Sequence, residues 1–327
     1  MPIIQTHDIT LYGGNDVDIV LRPLCDAHLP LLYQWNADPE VLYWTEGGTA
    51  GDNLSYGPKT VHDIFGHVSQ NAFCFLIEAD SVPIGECWLQ KMNLPNVLAM
   101  YPDHLDVRRI DMAIGEKSYW NKGIGSQFIG MLIDFAFNGE HVDVLHCFSE
   151  DYNARSCRMW EKHGFTRVLK EALEQPQKGK WQYHYRLTRQ EYIERRREHI
   201  PKRKQFMLPI AQLQPSQLYI SQGKLRLVHE WFNPDDLSTF DPIPVKRFGG
   251  KTLMTDGHTR AVAAHLAGLA CVPACWDKSK LDMRAYAIDI QWCDAEGIRS
   301  PIDLAGRIVP HKDYERLWRK RCMEMEL

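Results

Sequence analysis

Between Arg109 and Ile129 the chain runs Arg-Ile-Asp-Met-Ala-Ile-Gly, four further residues, then Trp-Asn-Lys-Gly-Ile-Gly-Ser-Gln-Phe-Ile. This succession limits the fold more than any other stretch. A strand delivers the backbone to a glycine loop, and a helix starts directly behind it. The first N–H groups of a helix have no partner inside it, and glycines let a ligand approach them closely. The turn formed by Asn121, Lys122, Gly123, Ile124, Gly125 and Ser126 is therefore a candidate anion site. It lacks the third glycine of a dinucleotide fingerprint and the Gly-Lys-Ser/Thr of a P-loop. A diphosphate belonging to neither NAD nor a nucleoside triphosphate fits best.

The flanking segments alternate between strand and helix periods. Residues 17–24 read as a half-buried strand ended by Pro23. Residues 26–37 read as a helix with Asp26 as N-cap and Leu29, Leu32, Tyr33 and Trp35 at helical spacing. Phe73–Ala79 and Ile84–Gln90 form a hairpin pattern across the turn 80–83. A strand over Arg109–Ile114, a helix over Ser126–Phe137, a strand over Val142–Phe148 and a helix over Asn153–His163 follow. Gly164 stops that last helix, and a strand pair occupies 165–187. Strands in mixed order with few helices indicate an α+β fold.

The chain has 327 residues, enough for two domains. Its net charge of −4 excludes a generally basic nucleic-acid binder. No apolar run approaches the ~18–20 residues of a membrane span, and no signal segment is expected. Nine scattered cysteines suit reduced thiols in the cytoplasm. Only Cys271 and Cys275 lie close together, with no second pair or His pair at ligand spacing, so no metal is expected. Residues 189–206 turn rich in Glu and Arg, with Pro201 as a stop and a basic turn behind it. Without interleaved aromatics this reads as a connector helix rather than a nucleic-acid contact. The expected organisation is 1–188, a linker 189–206, and 207–327.

Trp120-Asn121-Lys122-Gly123-Ile124-Gly125 resembles the pyrophosphate loop of GNAT acyltransferases, with Trp120 where Gln or Arg is usual. Asn153-Ala154-Arg155-Ser156-Cys157-Arg158-Met159-Trp160-Glu161-Lys162-His163-Gly164-Phe165 resembles the second signature of that family. The resemblance covers about residues 17–188 and is closest in pattern to aminoglycoside 6′-N-acetyltransferases and siderophore-lysine acyltransferases. It implies a mixed, twisted sheet with flanking helices whose central strands splay, and acetyl-CoA as cofactor. Backbone groups of Ala113, Ile114 and Gly115 would meet the pantetheine arm, with Asn121–Ser126, Asn153 and Trp160 also on the cofactor.

Asp111 is the candidate base. An amine reaches the enzyme mostly protonated, and a carboxylate beside it both attracts the ammonium and takes its proton. The plainer role is a strand aspartate paired with Arg108 or Arg109. Trp160 stands where the resemblance implies a Tyr that protonates the CoA thiolate; an indole has no such proton. The thiolate would then need a water or another donor, with Tyr152 one candidate. Trp44, Trp88 and Tyr101 with Glu46, Glu150 and Asp151 could line a pocket for a small cationic amine.

Residues 253–274 form a second pattern: a strand, Asp256-Gly257-His258-Thr259-Arg260, an Ala-rich helix ended by Gly268, and a strand at Val272–Ala274. With Pro209–Leu213 as an opening strand, this resembles the ParB/sulfiredoxin-like domain, a smaller α/β fold. The resemblance implies a nucleotide or phosphate at Asp256, Gly257, His258 and Arg260. No Cys precedes the His and no helix-turn-helix follows, so neither a sulfinic-acid reductase nor a partition protein is expected. The chain reads as an N-acetyltransferase for a primary amine. A siderophore-lysine or peptide-amine acyltransferase is the alternative enzyme, and an acetyl-CoA or nucleotide sensor is the alternative of another class.

Overall fold

A computed structural model describes residues 6–14, 17–45, 55–173, 178–198 and 204–327. Two compact units divide between Tyr192 and Ile193.

In the first unit the strands are β1 (Leu11–Gly13), β2 (Ile19–Pro23), β3 (Ala72–Ala79), β4 (Val82–Lys91), β5 (Val107–Ile114), β6 (Val144–Glu150), β7 (Thr166–Ala172) and β8 (Trp181–Thr188). They form one mixed sheet in the order β1-β2-β3-β4-β5-β6-β8-β7. The helices are α1 (Leu29–Ala37), α2 (Pro39–Thr45), α3 (Pro58–Val68), α4 (Pro95–Leu98), α5 (Ile124–Asp134), α6 (Ala154–Lys162) and the first part of α7 (Arg189–Glu198). Cys74–Ile77 are all buried, as befits a central strand covered on both faces.

Local chemistry moves several boundaries from their expected places. Asp80 and Ser81 both take positive φ, 48° and 65°, so a two-residue turn joins β3 directly to Val82. Pro83 therefore sits inside β4, opposite Glu78, where the register shifts. The helix expected from Asp26 is a 3-10 turn, Asp26–His28, followed by α1, and Cys25 rather than Asp26 takes the cap position. α5 starts at Ile124, two residues before the expected Ser126, because Gly123 adopts φ 76° as N-cap. Its last turn loosens into a π-turn over Phe135–Gly139.

β5 and β6 are parallel neighbours for two rungs only, Val107 with Val144 and Arg108 with Leu145. Beyond these, β5 stays paired with β4 and β6 with β8. The two central strands part, and the gap between them positions the site.

The second unit contains the rest of α7; Pro201 falls outside the described residues. Its strands are β9 (Gln205–Pro209), β10 (Leu213–Gln214), β11 (Ile220–Ser221), β12 (Ile243–Phe248), β13 (Lys251–Met254), β14 (Cys271–Trp276) and β15 (Ile308–Val309). Five of them form a sheet in the order β10-β13-β12-β14-β9, and β11 pairs with β15. The opening strand expected over 209–213 is broken by a 3-10 turn at Ile210–Gln212. The longer helices are α8 (Gln222–His229), α9 (His258–Leu266) and α10 (Met283–Ala295). α9 explains its alanines by lying between two cores: Ala261 and Ala264 pack with Ile243 and Val272, Val262 and Ala263 with Leu218 and Trp318. Large side chains would not fit on both faces.

Candidate functional site

A cleft of about 660 Å³ opens where β5 and β6 separate. Its floor is Arg109–Ile114 of β5 and Phe148–Glu150 of β6. Asn121–Ser126 at the start of α5 form one wall, α2 contributes Val41, Trp44 and Thr45, and α6 contributes Arg155, Ser156, Arg158, Met159 and Trp160.

Glycine at 123 is required by its left-handed backbone. The turn aims the start of an eleven-residue helix at the cleft, bringing unpaired N–H groups and the positive end of the helix dipole to it. Lys122, Arg155 and Arg158 add cationic side chains to the same lining. Arg155 lies 4.3 Å from the Trp44 ring centroid and donates to Asn121 Oδ1 at 3.1 Å. The loop can hold a diphosphate.

α2 is fastened through its C-terminal carbonyls, which a helix leaves without internal partners. Tyr152 Oη donates to the Tyr43 carbonyl at 3.0 Å, and Lys178 Nζ donates to it at 2.8 Å. Asn153 Nδ2 donates to the Trp44 carbonyl at 3.1 Å, while Asn153 Oδ1 accepts the Ser156 N–H as cap of α6. Asn153 thus lines the cleft, but its amide serves as cap and fastener. Tyr152 gives its hydroxyl proton to a carbonyl, which removes it as the expected thiolate acid.

The Asp111 carboxylate lies in the cleft, and both of its oxygens accept from Arg109, Nε and Nη2 each at 2.6 Å. Arg109 in turn lies 5.6 Å from the centroid of Phe148. Glu150 differs: burial pushes its carboxyl up, opposed by the Lys178 charge, and its Oε2 has no hydrogen-bond partner among the described residues. Trp160 is 2% exposed, packs on Phe165, and its indole N–H is without a partner among the described residues. Trp120 donates its indole N–H to the Ile114 carbonyl at 2.8 Å, tying the loop to β5.

Thus Asp111, Ala113, Ile114, Asn121–Ser126, Asn153, Trp160, Trp44 and Glu150 come together. Four expected residues do not. Gly115 lies beneath Trp35, whose Cγ would stand 2.0 Å from an added Cβ, so it serves close packing. Trp88 stacks on Phe65 in the α1–α3 core. Tyr101 bonds to His146 Nδ1 at 2.6 Å, within a buried chain in which His146 Nε2 meets His184 Nδ1 and His184 Nε2 meets Glu171. Asp151 turns to the Lys180 N–H. Glu46 lies outside the described residues. Arg109, Arg155 and Arg158 were not among the expected site residues. The two on α6 stand three residues apart inside the second signature, a spacing that puts them on one helix face.

In the second unit, Gly257 (φ 82°) caps α9. His258 is 7% exposed, and its Nε2 accepts the Ser216 N–H at 3.0 Å. Burial holds its imidazole below the usual range, hence neutral. Nε2 of His258 is thus committed to the fold, and the neutral ring then carries its proton on Nδ1. The Arg260 guanidinium folds over Gly257 and lies 3.7 Å from Asp256.

Comparison with known proteins adds the following. Residues 18–166 match the family profile described as "Acetyltransferase (GNAT) domain". Over 158 residues the chain is 22% identical to aminoglycoside N(6′)-acetyltransferase type 1 of Klebsiella pneumoniae, covering 47% of this chain and 77% of that protein. A kanamycin resistance protein of Rhizobium radiobacter is 33% identical over 61 residues, covering 19% of this chain and 56% of that protein. Among solved structures, a GNAT-family acetyltransferase from Bacillus anthracis aligns at TM-score 0.43 and 14% identity, covering 55% of this chain and 99% of that one. The aminoglycoside acetyltransferase AAC(6′)-Ib in complex with coenzyme A and kanamycin aligns at TM-score 0.46 and 21% identity, covering 54% and 99%.

Proposed function

Because residues 18–166 form a GNAT acetyltransferase domain, and the chain is an N-acetyltransferase that uses acetyl-CoA, we propose that it acetylates a primary amine of a cationic small molecule, with Asp111 as general base. The amine of an aminoglycoside, at its 6′ position, is the acceptor we favour. One observation carries the reading: the Asp111 carboxylate shares a cleft with the helix start at 121–126.

In this reading the pyrophosphate of acetyl-CoA lies on residues 121–126, with Lys122, Arg155 and Arg158 balancing its charge. The acetyl-pantetheine arm enters between β5 and β6, and backbone groups of Ala113 and Ile114 polarise the thioester carbonyl. Asp111 takes a proton from the ammonium, the free amine attacks the carbonyl carbon, and a C–N bond forms. Collapse of the tetrahedral intermediate breaks the C–S bond, and the second proton of the attacking nitrogen passes through water to the departing thiolate, leaving a neutral amide and the free thiol. Thiols of this kind have a pKa near 8.5, so departure does not demand a strong acid. The aromatic wall at Trp44 and the carboxylates of Asp111 and Glu150 suit a cation.

The unpartnered, upward-shifted Glu150 supports a second assignment, since a general base works best with a pKa near the operating pH. Here Arg109 keeps Asp111 for binding the ammonium, and Glu150 removes the proton through water. Thiol release measured with aminoglycosides, diamines, hydroxylysine-type amines and peptide N-termini tests the acceptor. Binding of acetyl-CoA without release by any amine would leave a sensor instead. Comparing Asp111→Asn with Glu150→Gln identifies the base.

For the second unit we propose a phosphate or nucleotide at Asp256, Gly257, His258 and Arg260, in the manner of the ParB/sulfiredoxin-like resemblance, and for the whole chain a cytoplasmic setting. Titration of Arg260→Ala with ATP and with inorganic phosphate tests the former.

A further inference from the structure

His163, the cap residue at the end of α6, brings Nε2 to 3.0 Å from Ser126 Oγ in the first turn of α5. Gly130, one turn along α5, lies beside the imidazole: an added Cβ would stand in ordinary contact with His163 Cε1, at 3.5 Å. Ser126 lines the cleft, and its backbone N–H is turned back to the Gly123 carbonyl at 3.1 Å. The hydroxyl is then what this residue can offer to an anion.

A serine hydroxyl has one proton. If that proton goes to an imidazole lone pair, only oxygen lone pairs face the cleft, and these repel a phosphate. If the imidazole carries its proton on Nε2, it donates to Ser126 Oγ, and the serine proton turns outward.

We propose that His163 is a positioning residue for the cofactor: its Nε2–H donates to Ser126 Oγ and thereby directs the Ser126 hydroxyl proton to the cofactor's diphosphate. This rests on the reading that the pyrophosphate lies on residues 121–126. It adds a donor selected by its partner to those the backbone supplies, and it couples the end of α6 to the anion site.

The test compares acetyl-CoA with acetyl-pantetheine, which lacks the diphosphate, by calorimetric titration of the full chain. His163→Ala should weaken acetyl-CoA about tenfold, the effect of one hydrogen bond to a charged group. Acetyl-pantetheine should bind within twofold of wild type. KM for acetyl-CoA should rise while kcat at saturation stays within twofold. Ser126→Ala should lose as much, and the double variant no more than either alone. His163→Gln, which keeps an N–H at a similar reach, should restore most of the affinity and also shows whether the position tolerates change. Additive losses, or an equal loss for acetyl-pantetheine, would overturn the proposal. Should wild type bind the two thioesters equally, the pyrophosphate assignment itself fails and the proposal with it. If wild type discriminates but His163→Ala matches it, only the role of His163 is refuted.

Discussion

Arg109 and Asp111, two residues apart on the same face of β5, form a two-pronged ion pair with both contacts at 2.6 Å. The carboxylate of this cleft-lining residue is thereby fixed in direction. A base needs a defined direction of approach as much as basicity.

Asp111→Asn should keep acetyl-CoA affinity within about twofold and lower turnover by roughly 10²–10⁴. Arg109→Leu should lower turnover less while broadening acceptor choice, because the carboxylate then turns freely. Stopped assays of free thiol with saturating acetyl-CoA measure both. Turnover retained in Asp111→Asn but lost in Glu150→Gln transfers the base role to Glu150.

Gly123 stands at φ 76°, and an added Cβ would meet nothing within 4 Å. Space is thus no obstacle at this position; backbone conformation is. Gly123→Val should shift the loop out of the left-handed region and weaken acetyl-CoA at least tenfold, ~1.4 kcal/mol. Calorimetry on a variant with unchanged circular dichroism reads this directly, and unaltered affinity removes the loop from the cofactor site.

Gly115→Ala should act on the fold. Its methyl group would collide with Trp35, whose indole N–H donates to Glu116 Oε1 at 2.8 Å. Overpacking of this kind costs about 1–3 kcal/mol. Urea unfolding followed by tryptophan fluorescence should show a lower midpoint, with KM for acetyl-CoA little changed in the folded fraction.

Acid should loosen the first unit through His146. Burial, with His184 and Arg186 nearby, lowers its pKa from 6.5 to about 4. A depressed folded value means the native state binds fewer protons than the unfolded chain below pH 6.5. The stability it contributes is complete above that pH and is lost as the pH falls toward 4, at up to ~1 kcal/mol per pH unit. His146→Gln should flatten the dependence of unfolding free energy on pH between 6.5 and 4. An unchanged slope would assign acid sensitivity elsewhere.

The helix-start loop at 121–126 was legible because its information is local. Glycine at a left-handed position, a helix start and a strand end all lie within twenty residues. The splayed sheet followed from the resemblance, and Asp111 and Glu150 were found at the cleft. The acceptor wall was not legible for Trp88 and Tyr101. Their faces are decided by which partner covers them, Phe65 in one case and His146 in the other. Gly115 misled because a glycine beside an anion loop and a glycine beneath an indole look alike in sequence. α2 went unseen for the same reason: what holds Tyr43 comes from Tyr152 and Lys178, 109 and 135 residues away.

After two rungs with β6, the remainder of β5 presents a strand edge inside the molecule rather than at its rim. Exposed edges recruit strands from other chains and promote aggregation. Here Trp44 of α2 and Arg155 and Trp160 of α6 line the cleft along that edge. The sheet is consequently left one element short at the cleft, so that an edge which would invite a second chain at the rim lies instead along a cavity.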